Sequence, residues 1–473
     1  MTIADEAARI VTQAAPMPFF DTLPGEVAQL LDIPVDEKLE AFDQASQFLN
    51  SARGKATREG LRVALESSGY LPRSARHEIE ALAGFLSRRH LESLVDNPSV
   101  LPGGRRLLDG GFVTIGPGVA VTGMPAGPLL VVGSGNSFVP SVVASVIGLL
   151  ASCPVALRGA GINQPILESL FAALKTCGSR LLASLLDHLH LFFLDHADPA
   201  QGEVLRRVLR EGPFAAGSFW GGRQALDALV KGFGENPRHP MAIPMEPLTG
   251  VAVATERYLR RTAASVDEAA QDLADAVTEM GQQMCSSPTE AYLVGSMSIA
   301  TTLARRLGQE LDRIPELRRR RISDRNAMLI DRIREGAADL DRVVVAPRDG
   351  DAAWTVIVSD GQSVFLDERG PSPLPIHERT AFLEIVVIPT LEAAADRIAR
   401  LPSAPCHAGV KQVQTVIRLT HLDDAQRLIQ LLRRQGCGIY RSVPPDYVAL
   451  RHPLEPMDGH HLLGLLTRQL VVI

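Results

Sequence analysis

From Gly110 to Leu157 the chain carries no Asp, Glu, Lys or Arg, yet glycine and proline break the run repeatedly, in GPGVAVTGMPAGP, in GSGN, at Pro140 and at Pro154. A charge-free stretch of this length belongs in a bilayer or in a protein core. A bilayer helix needs about 20 consecutive apolar residues, and the breaks leave no clean run of that length. The stretch therefore reads as buried strands and one buried helix. With 473 residues, 46% of them hydrophobic, the chain can build the large core this requires and should divide into two or three domains.

The pattern on either side supplies the rest of the architecture. Up to about Val100 apolar residues recur at three and four, in EVAQLLDI, EKLEAFDQASQFLNSARG, REGLRVALESSGY and ARHEIEALAGFLSRRHLESLV, which predicts a helical N-terminal region. FVTIGPGVAVTG alternates like a hairpin. PLLVVGSGN then ends a four-residue apolar strand, Leu129 to Val132, at glycines; SFVPSVVASVIGLLAS is helix-like, CPVALRGAG a short buried strand and QPILESLFAALKTCG an amphipathic helix. HLHLFFLDH, PAQGEVLRRVLREG, FAAGSFWGG and RQALDALVKGFG continue the alternation. Strand, helix, strand, helix is the grammar of a mostly parallel sheet covered on both faces. After a proline-rich passage, NPRHPMAIPMEPLTG, a second unit opens with VAVATE and a helix from about Val266 to Met280. Strands follow around DRVVVAP, AAWTVIVSD, FLEIVVIP and VQTVIRL, with helices at LEAAADRIARL and DDAQRLIQLLRRQG, and the chain closes on HHLLGLLTRQLVVI.

Charge and cysteine usage exclude several classes. A formal net charge of -6 and a pI near 6.1 give no footprint for nucleic acid or an acidic membrane, and the basic run Arg318–Arg321 reads as a solvated helix end. Five cysteines, at 153, 177, 285, 406 and 437, are too few and too scattered for a disulfide framework or a zinc site, so the chain is expected in a reducing, cytoplasmic setting. MTIADEAARIV lacks the basic and apolar regions of a signal peptide. His407 and the pair His460–His461 lack the helix-spaced partners a metal would need, so no metal is expected; the pair is expected to cap the C-terminal helix.

Cys285 stands apart from the other cysteines. GQQMCSSPTEAYLV, residues 281–294, sets it among polar and turn-forming neighbours after a helix. Such a setting can leave a thiol reachable and lower its pKa, and the thiolate is the attacking species. Cys153, Cys177 and Cys437 read as small buried hydrophobes. Cys406 beside His407 is a rival dyad, ranked below Cys285 because sequence neighbours rarely turn their side chains toward each other.

This segment resembles the nucleophile segment of the aldehyde dehydrogenase superfamily, and more closely that of the LuxC-type acyl-CoA reductases. VVGSGN with its following helix, CPVALRGAG, SFWGGRQAL and the tail PMDGHHLLGLLTRQLVV extend the likeness over roughly residues 95 to 473. The resemblance implies an α/β fold of aldehyde dehydrogenase type. Its expected divisions are a helical region at 1–95, a dinucleotide-binding open sheet at 96–245, a catalytic domain at 246–440, and a segment at 441–473 returning to the cofactor domain or to an oligomer interface. It also implies a homo-oligomer built through a β-extension, for which FVTIGPGVAVTG is the candidate.

For chemistry, the resemblance implies that Cys285 attacks an acyl thioester, of coenzyme A or a carrier protein, while the Asn136 amide and the Cys285 backbone N–H stabilise the oxyanion. A lone Asn after a strand otherwise makes only a turn. Trp220, Gly221 and Gly222 are expected at the cofactor, because glycines opening a helix let backbone approach a phosphate. Glu378 lies near the region that holds the nicotinamide ribose in relatives. Arg158 stands where the family places a basic residue, usually Lys, and no Asp or Glu follows before Glu168, which predicts NADPH as the hydride donor. Aldehyde-oxidising members need a glutamate base. Glu235 and Glu246 are the nearby carboxylates and neither has the expected context, which favours thioester reduction. An acyl-transferring protein partner is a further expectation. The rival readings are an oxidative aldehyde dehydrogenase and a non-catalytic scaffold that binds an acyl carrier.

Overall fold

The computed structural model describes residues 17, 19–194, 198–319, 322–366, 380–403, 407, 410–448, 455 and 457–472. The chain forms two compact units. One joins Met1–Ser68, Ala75–Glu246 and His452–Ile473; the other joins Gly69–Ser74 and Pro247–Arg451.

The first unit holds two sheets. β1 (Val113–Gly116) and β2 (Val119–Pro125) form the antiparallel hairpin that the alternation predicts, and β15 (Thr467–Val472) pairs antiparallel with β2. The second sheet contains β3 (Leu129–Val132), β4 (Val155–Gly159), β5 (Leu189–Phe193), β6 (Ala216–Trp220) and β7 (Met241–Met245), ordered β5-β4-β3-β6-β7 and parallel throughout. β3 is buried at all four residues, as a strand covered on both faces must be. The strand order reverses between β4 and β6 around β3. At such a switch point the loops leaving the carboxyl ends diverge and open a crevice for a ligand.

β7 departs from the sequence reading, which left MAIPM inside a proline-rich passage. Pro244 donates no backbone hydrogen bond, and it is tolerated because β7 is the edge of the sheet. The N-terminal helices pack around this unit. Val35–Asn50, for instance, buries Val35, Leu39, Phe42, Ala45 and Leu49 at three- and four-residue spacing.

The second unit is built on a seven-stranded sheet of β8 (Leu248–Thr255), β9 (Pro288–Val294), β10 (Val343–Val345), β11 (Thr355–Asp360), β12 (Phe382–Ile388), β13 (Gln412–Leu419) and β14 (Arg441–Val443). Its order is β10-β11-β12-β9-β8-β13-β14, and only the β10–β11 pairing is antiparallel. β8 buries all eight residues. The helix expected to run to Met280 ends at Thr278, because Met280, Gly281 and Gln282 take left-handed φ angles of 51°, 60° and 66°. His461 occupies the N-cap position of the short helix Leu462–Leu466 without a side-chain cap, and His460 forms a backbone bridge to Met457. The expectation that this pair caps the helix is thus not met.

Candidate active site

Cys285 sits at the amino end of β9, on a turn whose supports are all in the second unit. The three left-handed residues ahead of it are unusual, since Met280 and Gln282 have a Cβ and strain of this kind costs on the order of 1–3 kcal/mol per residue. The Gln282 amide holds them in place. It is 1% exposed; its Nε2 donates to Pro288 O (2.8 Å) and Phe382 O (2.6 Å), and its Oε1 accepts from Phe382 N (2.9 Å). Met280 N donates to Ser74 Oγ at 3.1 Å.

After the cysteine, Ser286 Oγ donates to Val448 O (3.3 Å), a carbonyl that also accepts from the buried Arg441 guanidinium (3.2 Å). Gly250 N donates to Ser287 O at 3.1 Å. A Cβ on Gly250 would stand 2.2 Å from Ser286 O, so only glycine lets β8 lie this close to the turn. His407, fully buried, bonds Thr289 Oγ1 through Nε2 at 3.2 Å; Cys406 lies outside the described residues.

The consequence is a rigid turn with one reachable thiol. Cys285 is half-exposed while Ser286 and Ser287 are buried. Of the other described cysteines, Cys153 and Cys177 are buried, and burial pushes the Cys153 thiol up to about 11; Cys437 is half-buried like Cys285, not buried as the sequence reading expects, and its thiol is raised by burial. A thiol kept protonated by burial is a poor nucleophile.

In the first unit, the carboxyl ends of the strands surround a cavity of about 1200 Å³ whose wall includes Gly133, Gly135, Arg158, Glu168, Trp220 and Gly221. Arg158 is half-buried, and its Nη2 donates to Leu194 O at 2.8 Å, tying the end of β4 to the residue after β5. Glu168 is exposed and accepts from Gln164 Nε2 at 2.9 Å. Gly222 is the N-cap of the helix Arg223–Gly234; it carries no side-chain cap, and the space where a Cβ would stand is open. Asn136 is exposed on the turn after β3.

Of the two glutamates, Glu235 forms a surface pair with Arg210 at 2.6 Å, while Glu246 follows the carboxyl end of β7, half-buried, with Arg223 Nη1 at 3.4 Å. Glu378 lies outside the described residues. Among the described residues no cluster of His, Cys, Asp and Glu could hold a metal, and no helix is long and apolar enough to cross a membrane.

A model of the acyl-CoA reductase (LuxC) family matches residues 30–403. The chain belongs to the LuxC acyl-CoA reductase family. No individually curated protein matches the sequence. Aldehyde dehydrogenases are among the solved structures similar to this LuxC-family chain. Aldehyde dehydrogenase 21 from Physcomitrella patens, in complex with the product succinate, has a TM-score of 0.69 at 14% identity, covering 96% of this chain and 89% of that one. Glyceraldehyde-3-phosphate dehydrogenase GapN from Methanocaldococcus jannaschii, complexed with NADP, has a TM-score of 0.68 at 12% identity, covering 96% and 92%. An oxidoreductase from Marinobacter aquaeolei has 0.66 at 14% identity, covering 98% and 92%. These likenesses establish the fold, and the family makes the chain an oxidoreductase acting on acyl or aldehyde groups.

The candidate site has residues that sequence reasoning missed. Gln282 was legible only as a polar neighbour of the cysteine, and Gly250 gave no signal at all. Both act through contacts with residues distant in the chain.

Proposed function

We propose that the chain reduces an acyl thioester to the aldehyde through an acyl-Cys285 intermediate, with NADPH as hydride donor. The observation that carries this reading is the half-exposed Cys285 on a turn whose flanking residues are buried and bonded, in a chain of the acyl-CoA reductase family. In the proposed sequence the Cys285 thiolate adds to the thioester carbonyl, and the oxyanion accepts hydrogen bonds from the Asn136 amide and the Cys285 backbone N–H. Collapse expels the thiolate of coenzyme A or of a carrier protein. When bound, NADPH would supply the hydride for the acyl carbon; cleavage of the bond between that carbon and the Cys285 sulfur frees the aldehyde and returns Cys285 to its thiolate.

The cavity in the first unit fits a dinucleotide. The N-terminus of the helix Arg223–Gly234 has no side-chain cap and an open Gly222, features suited to a pyrophosphate. Trp220 and Gly221 would lie along it, and Arg158 would meet a 2′-phosphate, its planar guanidinium offering two parallel charge-assisted bonds. Glu168 on the same wall is the residue that would instead favour the ribose hydroxyls of NAD. Glu378 remains assigned to the nicotinamide ribose by family resemblance alone.

Thioester reduction needs no base to activate water, in keeping with Glu235 being engaged in a surface pair. Oxidation of an aldehyde to the acid is the second reading, and it is favoured by the placement of Glu246 at the carboxyl end of β7. The proposal extends to a cytoplasmic homo-oligomer that self-associates through the sheet of β1, β2 and β15, and to an acyl-transferring protein partner. The test is a product assay with acyl-CoA and NADPH, from which aldehyde should accumulate. Acid formed from aldehyde and NADP, with no aldehyde formed from thioester, would overturn the proposal in favour of oxidation.

A further inference from the structure

Asn163 occupies the N-cap position of the helix Gln164–Lys175 and does not cap it. An asparagine there ordinarily accepts a backbone N–H from the first turn, which stabilises the helix. Here the side chain is 1% exposed and its Nδ2 donates instead to Ser134 O, at 3.0 Å and 29 residues away in sequence. Asn163 Oδ1 is buried without a hydrogen-bond partner among the described residues. The helix forgoes a cap, and a buried acceptor goes unsatisfied, for one bond to one carbonyl.

That carbonyl belongs to the turn that carries Asn136, and the turn is fixed at its other corners too. Gly133 N donates to Arg158 O (2.9 Å), and Ser134 Oγ donates to Ser137 O (3.1 Å). Ser137 Oγ bonds both carboxylate oxygens of Glu78, at 2.8 and 3.1 Å, from the helix Pro72–Phe85, and accepts from Val139 N at 3.3 Å. Ser137 is 8% exposed, whereas Gly135 and Asn136 between the two clamps are open to solvent. An amide that must meet a developing oxyanion gains from a backbone fixed beforehand, because no reorganisation is then needed as charge forms.

We infer that Asn163 and Glu78 are positioning residues which clamp Ser134 and Ser137 and so hold the turn that carries Asn136 in one fixed geometry. The inference rests on the proposed role of Asn136. It is tested by single-turnover acylation of the full chain with acyl-CoA and no nicotinamide, a step that forms the first oxyanion without hydride transfer. Asn136→Ala should slow acylation roughly 100- to 1000-fold. Asn163→Ala and Glu78→Ala should each slow it about tenfold or more, with the half-saturating acyl-CoA concentration unchanged. Glu78→Gln, which keeps an acceptor for Ser137, should recover most of the rate. The double variant Asn136→Ala/Asn163→Ala should be no slower than Asn136→Ala alone.

Wild-type acylation by Asn163→Ala and Glu78→Ala, or losses that multiply fully with that of Asn136→Ala, would overturn the inference while leaving Asn136 in its role. Wild-type acylation by Asn136→Ala would remove the reading beneath it and the inference together. Should Asn163→Ala fold poorly, the Glu78→Ala and Glu78→Gln pair decides alone.

Discussion

Gln282 makes three hydrogen bonds from one buried amide, two of them to a strand a hundred residues further along. Removing it would break all three of these buried bonds, each contributing about 1 kcal/mol. Gln282→Ala should therefore lose about 3 kcal/mol or more of stability, read as a lower urea midpoint at unchanged slope, and should lower aldehyde formation further than that loss explains. A midpoint close to wild type would mean that the turn is held by its other bonds. Arg158→Ala should lower kcat/KM for NADPH roughly ten- to a hundredfold and leave NADH nearly unchanged, as expected for one charge-assisted contact of about 1.5–3 kcal/mol. Equal losses with both cofactors would trace the effect to the bond between Arg158 and Leu194 O. That Cys285 lies reachable on a turn was legible in the sequence, because turn-forming residues surround it within a few positions. The bonds that hold it were not, because a side chain's partner a hundred residues away leaves no trace in local spacing.

Strands and helices followed the same division. β3 could be read from an apolar run ended by glycine, and the hairpin of β1 and β2 from its alternation, both of which are local patterns. β7 was missed because a proline in a strand is acceptable only at a sheet edge, and edge position is a property of the finished sheet. In HHLLGLLTRQLVVI an apolar run gives no period that separates helix from strand, and the chain uses both: a short helix at Leu462–Leu466, then β15. β15 exposes its last five residues, including Leu470 at 49% and Val472 at 42%, on an edge strand. Apolar edges of this kind are normally covered. For the proposed homo-oligomer, Leu470→Glu with Val472→Glu puts two carboxylates on one face of β15 and should convert the assembly to monomers in sedimentation velocity without loss of helical circular dichroism. A wild-type chain that sediments as a monomer would remove this account of β15.

Across the whole molecule, the cost of joining the helical region to the first sheet is visible at Lys38. The residue is 2% exposed, its Nζ donates to Ser152 Oγ at 2.7 Å, and burial pulls the ammonium down to about 8, with Asp109 opposing the shift. Between that value and the ordinary 10.5 the unfolded chain binds more protons than the folded one, so stability should rise with pH across this window. Below about 8 both states are charged and the full penalty is present. Lys38→Met should accordingly be more stable than wild type at pH 7 by chemical denaturation, with the gap closing as pH rises from about 8 to 10.5. A constant gap would assign the effect to packing instead.

Acylation of Cys285 by a thioester is the step on which the proposed function stands. Its most direct test is mass spectrometry of the full chain after incubation with acyl-CoA in the absence of nicotinamide. The peptide containing Cys285 should gain the mass of the acyl group, and the adduct should be released as aldehyde when NADPH is added. An unmodified Cys285 peptide, or an acyl group carried by Cys406 instead, would contradict the account.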